Sequence, residues 1–425
     1  MIASYCLFCC LKSERTALSL EQPYRQGVDM EEKAISADVM SKKDDEDRRA
    51  EPQAVAAPAR TPLYQEHVDL GARMVEFGGW MMPVQYKKGI IEEHKAVRSS
   101  VGIFDTCHMG EFTLQGPDAQ LLANTYTSNN VAALGTTQAQ YSFICNAEGG
   151  VQDDTIVYQF PDHNFIVVNA APLKADFEWL QELAGRINAD VQISNLSDEM
   201  GKLDVQGPEA AALVQRFTGT DLSALKYFWA TLGEIDGVPC RISRTGYTGE
   251  DGFELFFPVE ETVRLWRLFV ENGAAPSGLG CRDTLRLEAS LPLSGSDVAA
   301  SYNRNPIWAG FGRFVKLDKG VDFIGREALQ RAANDPGGER LINFFITERG
   351  VPRAHYPIMK DGEQVGEVTS GSYGPTLDKY LGMGWVRAGL HEVGTRLEVL
   401  IRERPVAIEV LPRPMYKRPK VKRET

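Results

Sequence analysis

Two adjacent carboxylates after a glycine turn are the residues of this chain whose placement most suggests chemistry. In the run NAEGGVQDDTIVY, Gly149 and Gly150 predict a tight hairpin turn, and Asp153 and Asp154 then open an apolar strand. Because side chains alternate across a strand, one acid shares a face with Tyr158 and is predicted to be buried. A buried carboxylate is costly without a partner, so it requires a ligand or a hydrogen-bond donor. The sequence leaves open that both acids cap the turn in water.

A further acid, Glu254, lies at the end of a glycine-rich run, RTGYTGEDGFEL. Glycines allow the backbone to approach a ligand closely. Glu254 stands between Phe253 and Leu255 in a strand-like stretch, which predicts a buried or half-buried acid. An acidic surface hairpin is the alternative for this run.

An arginine begins the next candidate segment, GLGCRDTLRLEASLPL, which predicts a helix over Gly278–Leu293. Arg282 falls in its first turn, where a cation opposes the helix dipole. This conflict indicates a partner for Arg282, either an anion or a carbonyl oxygen. A solvated surface arginine is compatible with the same pattern.

Several classes of function find no support in the sequence. It contains no GxSxG, P-loop or HExxH motif, and its six histidines show no ligand spacing, so we expect no metal site. The seven cysteines, odd in number and without zinc spacing, predict free thiols in a reducing compartment, and hence a cytoplasmic protein. A net charge of -12 argues against a nucleic-acid partner. No apolar run approaches the roughly 20 residues of a membrane span.

Short alternating runs, EFTLQG, QYSFICN, DTIVYQF and NFIVVNA, predict strands, and LKADFEWLQEL predicts an amphipathic helix. Such short interleaved elements indicate an α+β fold with antiparallel sheets. LQGPDAQLL and VQGPEAAAL echo each other and predict two similar α/β units. In each, a strand ends at glycine and proline enters the first turn of a helix. A favourable strand-to-helix turn would by itself produce the same echo.

Composition divides the 425 residues into segments. Residues 1–60 contain SKKDDEDRR and an Ala/Pro stretch, and they predict a disordered N-terminal extension. Residues 61–337 form the predicted body of two α+β subdomains. Residues 338–419 carry short β-rich runs typical of a small β-barrel or jelly roll. Residues 420–425 are a basic tail.

The order of five segments resembles a known family. MVEFGGWMMPVQY, FDTCHMGEF, YSFICNAEGGVQDDTIVY, RTGYTGEDGFE and CRDTLRLEASLPL together are strongly similar to the T-protein family of aminomethyltransferases. The resemblance covers about Thr61–Pro419. It implies a three-domain cloverleaf around a central folate channel, with two α/β units and a C-terminal barrel. It also implies the reaction of the glycine cleavage system, in which the lipoyl arm of H-protein delivers an aminomethyl group to tetrahydrofolate and ammonia is released.

The resemblance also implies roles for single residues. Asp154 corresponds to the family's critical aspartate beside the reactive nitrogens of folate, where a carboxylate can orient the folate and activate its amine. Glu254 corresponds to the acid that recognises the pterin, whose paired N–H donors match two carboxylate oxygens. The remaining folate-binding positions implied by the resemblance are Arg282, Tyr247, Tyr141, Met109 and Tyr416. We therefore expect tetrahydrofolate as co-substrate and lipoylated H-protein as partner, with no metal.

This sequence departs from the family pattern at Pro292–Val298, at Asn305–Phe311, and by about two extra residues near Tyr416. The first two segments leave open another enzyme, a folate-dependent demethylase of a small methylated donor. A folate-binding assembly factor for iron–sulfur proteins is a weaker alternative. Its relatives carry a KGCYxGQE-like string, whereas RTGYTGEDG lacks the cysteine.

Overall fold

The computed structural model describes residues 57–335, 337–348 and 350–419. The predicted disorder of residues 1–56 and the basic tail at 420–425 lie outside these ranges. At Ala59–Arg60 the prediction of disorder is wrong, because these residues form a short strand that pairs in parallel with Trp80 and Met81. Their backbone groups gain partners from a distant segment, which composition does not reveal.

The described residues form strands and helices in alternation. Up to residue 300 the strands are β1 (Ala59–Arg60), β2 (Arg73–Phe77), β3 (Trp80–Gln85), β4 (Gly102–Asp105), β5 (Gly110–Gln115), β6 (Ala139–Cys145), β7 (Val151–Gln159), β8 (Asn164–Val168), β9 (Gln192–Asn195), β10 (Met200–Gln206), β11 (Ala230–Ile235), β12 (Val238–Ser243), β13 (Gly252–Pro258) and β14 (Ala275–Pro276). The later strands are β15 (Glu339–Ile346), β16 (Pro357–Lys360), β17 (Glu363–Gly374), β18 (Lys379–Arg387), β19 (Arg396–Ile401) and β20 (Arg404–Leu411). The α-helices are α1 (Tyr64–Asp69), α2 (Ile90–Ser99), α3 (Ala119–Tyr126), α4 (Leu173–Arg186), α5 (Ala210–Gln215), α6 (Thr262–Glu271), α7 (Leu279–Glu288) and α8 (Arg326–Asn334).

The two larger sheets repeat one arrangement. One has the strand order β6-β7-β8-β5-β9, and the other has the order β11-β12-β13-β10-β4 with β14 outside β4. Strands β5 and β10 each end before a glycine with positive φ, Gly116 at 129° and Gly207 at 135°. A Cβ at Gly116 would lie 2.7 Å from the Asp190 carbonyl oxygen, and one at Gly207 would lie 2.4 Å from that of Ser100. The echo in the sequence therefore reflects a structural repeat.

The helices of this repeat begin later than predicted. Helix α3 begins at Ala119 with Asp118 as its N-cap residue, and α5 begins at Ala210 with Glu209 as its N-cap residue. The prediction that proline occupies the first helical turn is wrong, since both prolines precede the N-cap. The acids still lie at the positive end of each helix dipole.

The C-terminal strands close into a barrel with the order β15-β18-β17-β16-β19-β20. Its interior is apolar, and Phe344, Ile358, Val368 and Val399 are fully buried there. The predicted C-terminal barrel is confirmed, and with it the α+β class with antiparallel sheets. Within the described ranges, no helix has the length and apolar character needed to cross a membrane.

Helix α7 connects the second sheet to the barrel. It ends at Glu288, so the predicted helix up to Leu293 is too long. Ser290 has a φ of 58°, which ends the helical path directly after α7. Arg286 of α7 donates to Ser370 of β17 across 2.8 Å, which ties the helix to the barrel.

Candidate active site

Asp154 lies in the middle of strand β7 and accepts hydrogen bonds at both carboxylate oxygens. Tyr141 donates its hydroxyl proton to Oδ2 across 2.6 Å. Asn169 donates from Nδ2 to Oδ1 across 2.7 Å. The strand register explains the first contact, because Phe143 of β6 lies directly opposite Asp154 and Tyr141, two residues before Phe143, is on the same face. Burial raises the pKa of Asp154, and these two donors oppose that effect.

Asp153 points to the other face of β7, as the alternation of the strand requires. It accepts the Asn169 backbone N–H across 2.9 Å and the Asn169 amide across 2.7 Å. Burial, followed by the charge of Asp154, raises the pKa of Asp153 to about 7. Burial and the charge of Asp153 raise the pKa of Asp176, on helix α4, to about 9. Asp176 therefore keeps its proton at neutral pH. Its neighbour Asp153 accepts hydrogen bonds from Asn169, which also donates to Asp154.

Glu254 belongs to a second cluster, on the sheet of β10 and β13. It lies directly opposite Asp204 in the antiparallel register. Lys202 resolves the resulting repulsion, because its Nζ lies 2.6 Å from Glu254 Oε1 and 2.8 Å from Asp204 Oδ1. Although burial disfavours the ammonium, the charges of Asp204 and Glu254 raise the pKa of Lys202. Glu254 is mostly buried, with 8% exposure, as its position between two apolar residues predicts.

Arg282 joins this second cluster from the first turn of α7. Its Nη1 lies 2.8 Å from Asp204 Oδ2, and its guanidinium lies 5.0 Å from the centroid of the Tyr247 ring. The unfavourable position relative to the helix dipole is therefore offset by an anionic partner. Met109 lies beside the same group, with its sulfur 3.6 Å from Lys202 Nζ.

Tyr247 and Tyr158 connect the two clusters. Tyr247 lies under Arg282 and donates its hydroxyl proton to the Pro292 carbonyl. Burial raises the pKa of Tyr247, and the charge of Asp154 adds to this effect. Tyr158 shares a face of β7 with Asp154, and the charge of Glu254 adds to the effect of burial in raising its pKa. The Tyr158 ring packs at 6.1 Å against that of Phe256, which lies 5.5 Å from Lys202 Nζ. Asp154 and Glu254 thus occupy neighbouring but separate clusters.

The structure places Tyr416 in a third cluster. Its hydroxyl donates to Glu250 across 2.6 Å, and the Arg98 guanidinium stacks 3.9 Å from its ring centroid. Arg98 also bonds Glu288 of α7 across 3.1 Å. These contacts hold the C-terminal segment against α7, and a folate contact for Tyr416 stays a prediction.

Two family models match the chain: the GCVT N-terminal domain over residues 63–319, and the glycine cleavage T-protein C-terminal barrel domain over residues 340–417. The chain belongs to the glycine cleavage T-protein family. The resemblance inferred from the sequence is confirmed, and with it the prediction of an aminomethyltransferase-type enzyme.

Curated T-protein relatives match over almost their whole length. The chain is 44% identical over 364 residues to an aminomethyltransferase of Desulfitobacterium hafniense (strain Y51), covering 84% of this chain and 98% of that protein. It is 45% identical over 371 residues to an aminomethyltransferase of Symbiobacterium thermophilum, covering 85% and 98%. The crystal structure of glycine cleavage system aminomethyltransferase T from Bartonella henselae matches with a TM-score of 0.79 at 30% identity, covering 84% of this chain and 98% of that one.

The segments that depart from the T-protein pattern are engaged in packing. Asp297, in the first segment, is fully buried and accepts hydrogen bonds from Arg286 across 2.6 Å and from Ser370 across 2.9 Å. Trp308, in the second, is buried and donates from its indole nitrogen to the Ala332 carbonyl across 3.0 Å. These contacts connect Asp297 to helix α7 and strand β17, and Trp308 to helix α8.

Sequence reasoning misses several residues of the two clusters. They are Asn169, Asp176, Lys202 and Asp204. Lys202 and Asp204 alternate with Leu203 and Val205 in strand β10. That alternation is a readable signal for a charged face, but it does not indicate that this face is buried. Asn169 follows an apolar strand directly, a position at which a polar side chain can reach the end of a neighbouring strand.

Two buried polar groups near Lys202 have atoms without a hydrogen-bond partner among the described residues. They are Glu111 Oε1 and His108 Nδ1. Burial raises the pKa of Glu111 well above its usual range, against the effect of Lys202. Burial lowers the pKa of His108 to about 4. Burial therefore favours the neutral form of both groups. Among the described residues, no group of three or more His, Cys, Asp or Glu is arranged to hold a metal ion.

Proposed function

We propose that this chain transfers the methylene carbon of an aminomethyl group, carried on the lipoyl arm of H-protein, to tetrahydrofolate. The products are ammonia, 5,10-methylenetetrahydrofolate and the dihydrolipoyl carrier. The observation that carries the proposal is the half-buried Asp154 carboxylate, held by Tyr141 and Asn169, together with a second cluster that presents Glu254 and Arg282. Membership of the T-protein family supports the same reaction.

The chemistry of these side chains fits a reduced folate. A pterin edge carries an exocyclic amine and a ring N–H, and the partly exposed Glu254 carboxylate offers acceptors for such donors. Tyr141 and Tyr247 provide aromatic surface of the kind that flat rings pack against. Arg282 places a cation close to Glu254, where it can meet an acceptor on the ligand. The residues present therefore suit a neutral heterocycle with both donors and acceptors.

Asp154 would act on the reacting atoms. In its ionised form the carboxylate accepts a proton or a hydrogen bond from a folate amine and increases the nucleophilicity of the nitrogen. It also stabilises positive charge that develops on the transferred carbon. Two folate N–H bonds and the C–N and C–S bonds of the aminomethyl thioether break, while two new C–N bonds form. One proton goes to ammonia and the other to the lipoyl sulfur, so the atoms balance.

The test supplies purified H-protein whose lipoyl arm carries the aminomethyl group, together with tetrahydrofolate. We expect 5,10-methylenetetrahydrofolate and ammonia in equal amounts. H-protein without the aminomethyl cargo is the matched control and should give neither product. Product formation from a small methylated donor, and none from the loaded carrier, would replace this proposal with the demethylase.

A further inference from the structure

The charged groups on the face shared by β10 and β13, together with Arg282 of α7, form two layers that differ in burial. The side chains of Lys202 and Asp204 are 0% exposed, whereas those of Glu254 and Arg282 are 10% and 16% exposed. Each partly exposed group contacts a fully buried group of opposite charge, Glu254 with Lys202 and Arg282 with Asp204. The buried ion pair thus lies behind the two side chains that face the candidate folate site.

We propose that Lys202 and Asp204 are positioning residues that orient Glu254 and Arg282 for a pterin-type ligand edge. The proposal rests on the proposed function, since it concerns how the same site recognises folate. It adds two residues whose effect on the ligand passes through their partners.

The hydrogen bonds of Lys202 indicate an indirect role. An ammonium has three donors, and Lys202 Nζ donates to Asp204 across 2.8 Å, to Thr106 across 3.1 Å and to the Met109 sulfur across 3.6 Å. Glu254 Oε1 forms an ion pair with the same ammonium at 2.6 Å. These contacts use its donor capacity, which leaves none for a ligand. Glu254, in contrast, is held at Oε1 by Lys202 and keeps 10% of its side chain exposed. Lys202 therefore fixes the carboxylate while part of it stays available to a ligand donor.

Asp204 is saturated in the same way. Its Oδ1 accepts from Lys202 and from Thr106 across 3.0 Å, and its Oδ2 accepts from Arg282 across 2.8 Å. Although burial favours the neutral acid, Lys202 and Arg282 hold the pKa of Asp204 below its usual range. Asp204 can then fix the guanidinium over the Tyr247 ring. Without it, Arg282 would lose the contact that fixes its direction.

Strand β5, in the other large sheet, supplies a further buried acid near Lys202. Glu111 occupies the position in β5 that Lys202 occupies in β10, four residues before the last residue of the strand in each case. Burial raises the pKa of Glu111 and so disfavours a second carboxylate charge beside Lys202. The ring of Phe256, the residue directly opposite Lys202 in β13, lies 5.5 Å from Lys202 Nζ and adds an apolar contact.

The experiment uses the full chain and 5-formyltetrahydrofolate, a stable reduced folate, with affinity measured by calorimetry. The charge-balanced variant Lys202→Met/Asp204→Asn removes both buried charges, and such replacements are often neutral for stability. We expect retained thermal stability with affinity weakened by about tenfold or more, as for lost contacts to charged partners. Lys95→Met, at an exposed lysine of α2, is the matched control and should bind normally. A folded double variant with wild-type affinity would overturn the proposal.

A double-mutant cycle keeps the proposal falsifiable if that variant does not fold. Lys202→Gln and Glu254→Gln are measured singly and together, because coupling between contacting residues appears as non-additive losses of affinity. We expect Lys202→Gln to weaken binding clearly in the wild-type chain and little in the Glu254→Gln chain. Additive losses would refute the positioning role and leave the proposed function intact. A wild-type chain that binds no reduced folate would remove the proposed function, and this inference with it.

Discussion

Tyr141 donates a hydrogen bond to Asp154 across 2.6 Å, from one strand of a β-ladder to the next. Burial raises the pKa of Asp154, and the Tyr141 hydroxyl opposes this by stabilising the carboxylate. The ionisation of the proposed catalytic acid therefore depends on a tyrosine whose position the strand register sets. A residue expected to line the folate thus has a second effect, on the charge of its neighbour.

Replacing Tyr141 with Phe should raise the pKa of Asp154 further, because the carboxylate loses one of its donors. If the ionised form of Asp154 acts, kcat/KM falls as the carboxylate is protonated at low pH. The midpoint of this fall should move to a pH about one unit higher in the variant, because losing the hydrogen bond costs the carboxylate about 1.4 kcal/mol. The pH profile of methylenetetrahydrofolate formation measures this. Tyr373→Phe removes a similar hydroxyl from Asp378 in the barrel and should leave the profile unchanged. An unshifted acid limb in Tyr141→Phe would contradict the role given to this contact.

Asp154→Asn keeps the size of the side chain and an acceptor for Tyr141, but it removes the charge. We expect a folded protein with folate affinity close to that of wild type and a loss of turnover of about 10²-fold or more, as for a lost general base. Steady-state assays with loaded H-protein give the rate, and calorimetry gives the affinity. An unchanged rate would exclude a catalytic role for Asp154.

Glu254→Ala should weaken the binding of reduced folate by about 1.5–3 kcal/mol, the usual range for a hydrogen bond to a charged group. Lys202 keeps Asp204 as a partner, so the fold should survive the substitution. Calorimetry with 5-formyltetrahydrofolate gives the affinity. Glu260→Ala, at an exposed acid after β13, is the control. Equal affinities for Glu254→Ala and wild type would remove Glu254 from the ligand.

The positions of Asp154 and Glu254 can be predicted from the sequence because local rules determine them. A Gly-Gly turn and strand alternation place Asp154 on the face of Tyr158, and apolar neighbours on both sides predict the burial of Glu254. The predicted burial of the acid on the Tyr158 face is wrong in degree, because Asp154 is half-buried and Asp153, on the other face, is fully buried. The partners of these acids come from distant segments. Lys202 lies 52 positions before Glu254, and Asp176 belongs to helix α4, which follows strand β8 and so is separated in the chain from Asp153 of β7. Such contacts depend on how sheets and helices pack, which no local pattern in one sequence specifies.

Replacing Asp176 with Asn should make the stability of the protein less sensitive to a rise in pH between pH 5 and pH 8. The pKa of Asp176 is raised to about 9 in the folded chain, against about 3.9 in an unfolded chain. Between these values folding takes up a proton, so this group lowers stability as pH rises, by up to about 1.4 kcal/mol per pH unit. Asp176→Asn should therefore gain stability relative to wild type between pH 5 and pH 8, on the order of 1 kcal/mol or more.

Urea denaturation at those two pH values measures the difference for Asp176→Asn. The exposed Asp198, replaced by Asn, controls for the general effect of removing one acid. Parallel pH dependences of Asp176→Asn and wild type would show that Asp176 ionises normally in the folded chain.

Asp297→Ala tests whether the departure at Pro292–Val298 concerns the scaffold or the donor. Asp297 is fully buried and accepts from Arg286, Ser370 and Thr369, so its loss leaves the buried Arg286 guanidinium with Asp283 as its remaining carboxylate partner. Removing one partner of a buried ion pair costs about 3–5 kcal/mol of stability. Because Arg286 keeps Asp283 as a partner, we expect a loss at the lower end, about 3 kcal/mol. Denaturant titration measures this loss. The control is Glu392→Ala, whose side chain is 78% exposed and which should stay within about 0.5 kcal/mol of wild type.

Below the unfolding transition, Asp297→Ala should turn over loaded H-protein at close to the wild-type kcat, because Asp297 binds scaffold atoms. A stable Asp297→Ala protein with a collapsed kcat would instead assign this segment to the donor site and reopen the choice of substrate.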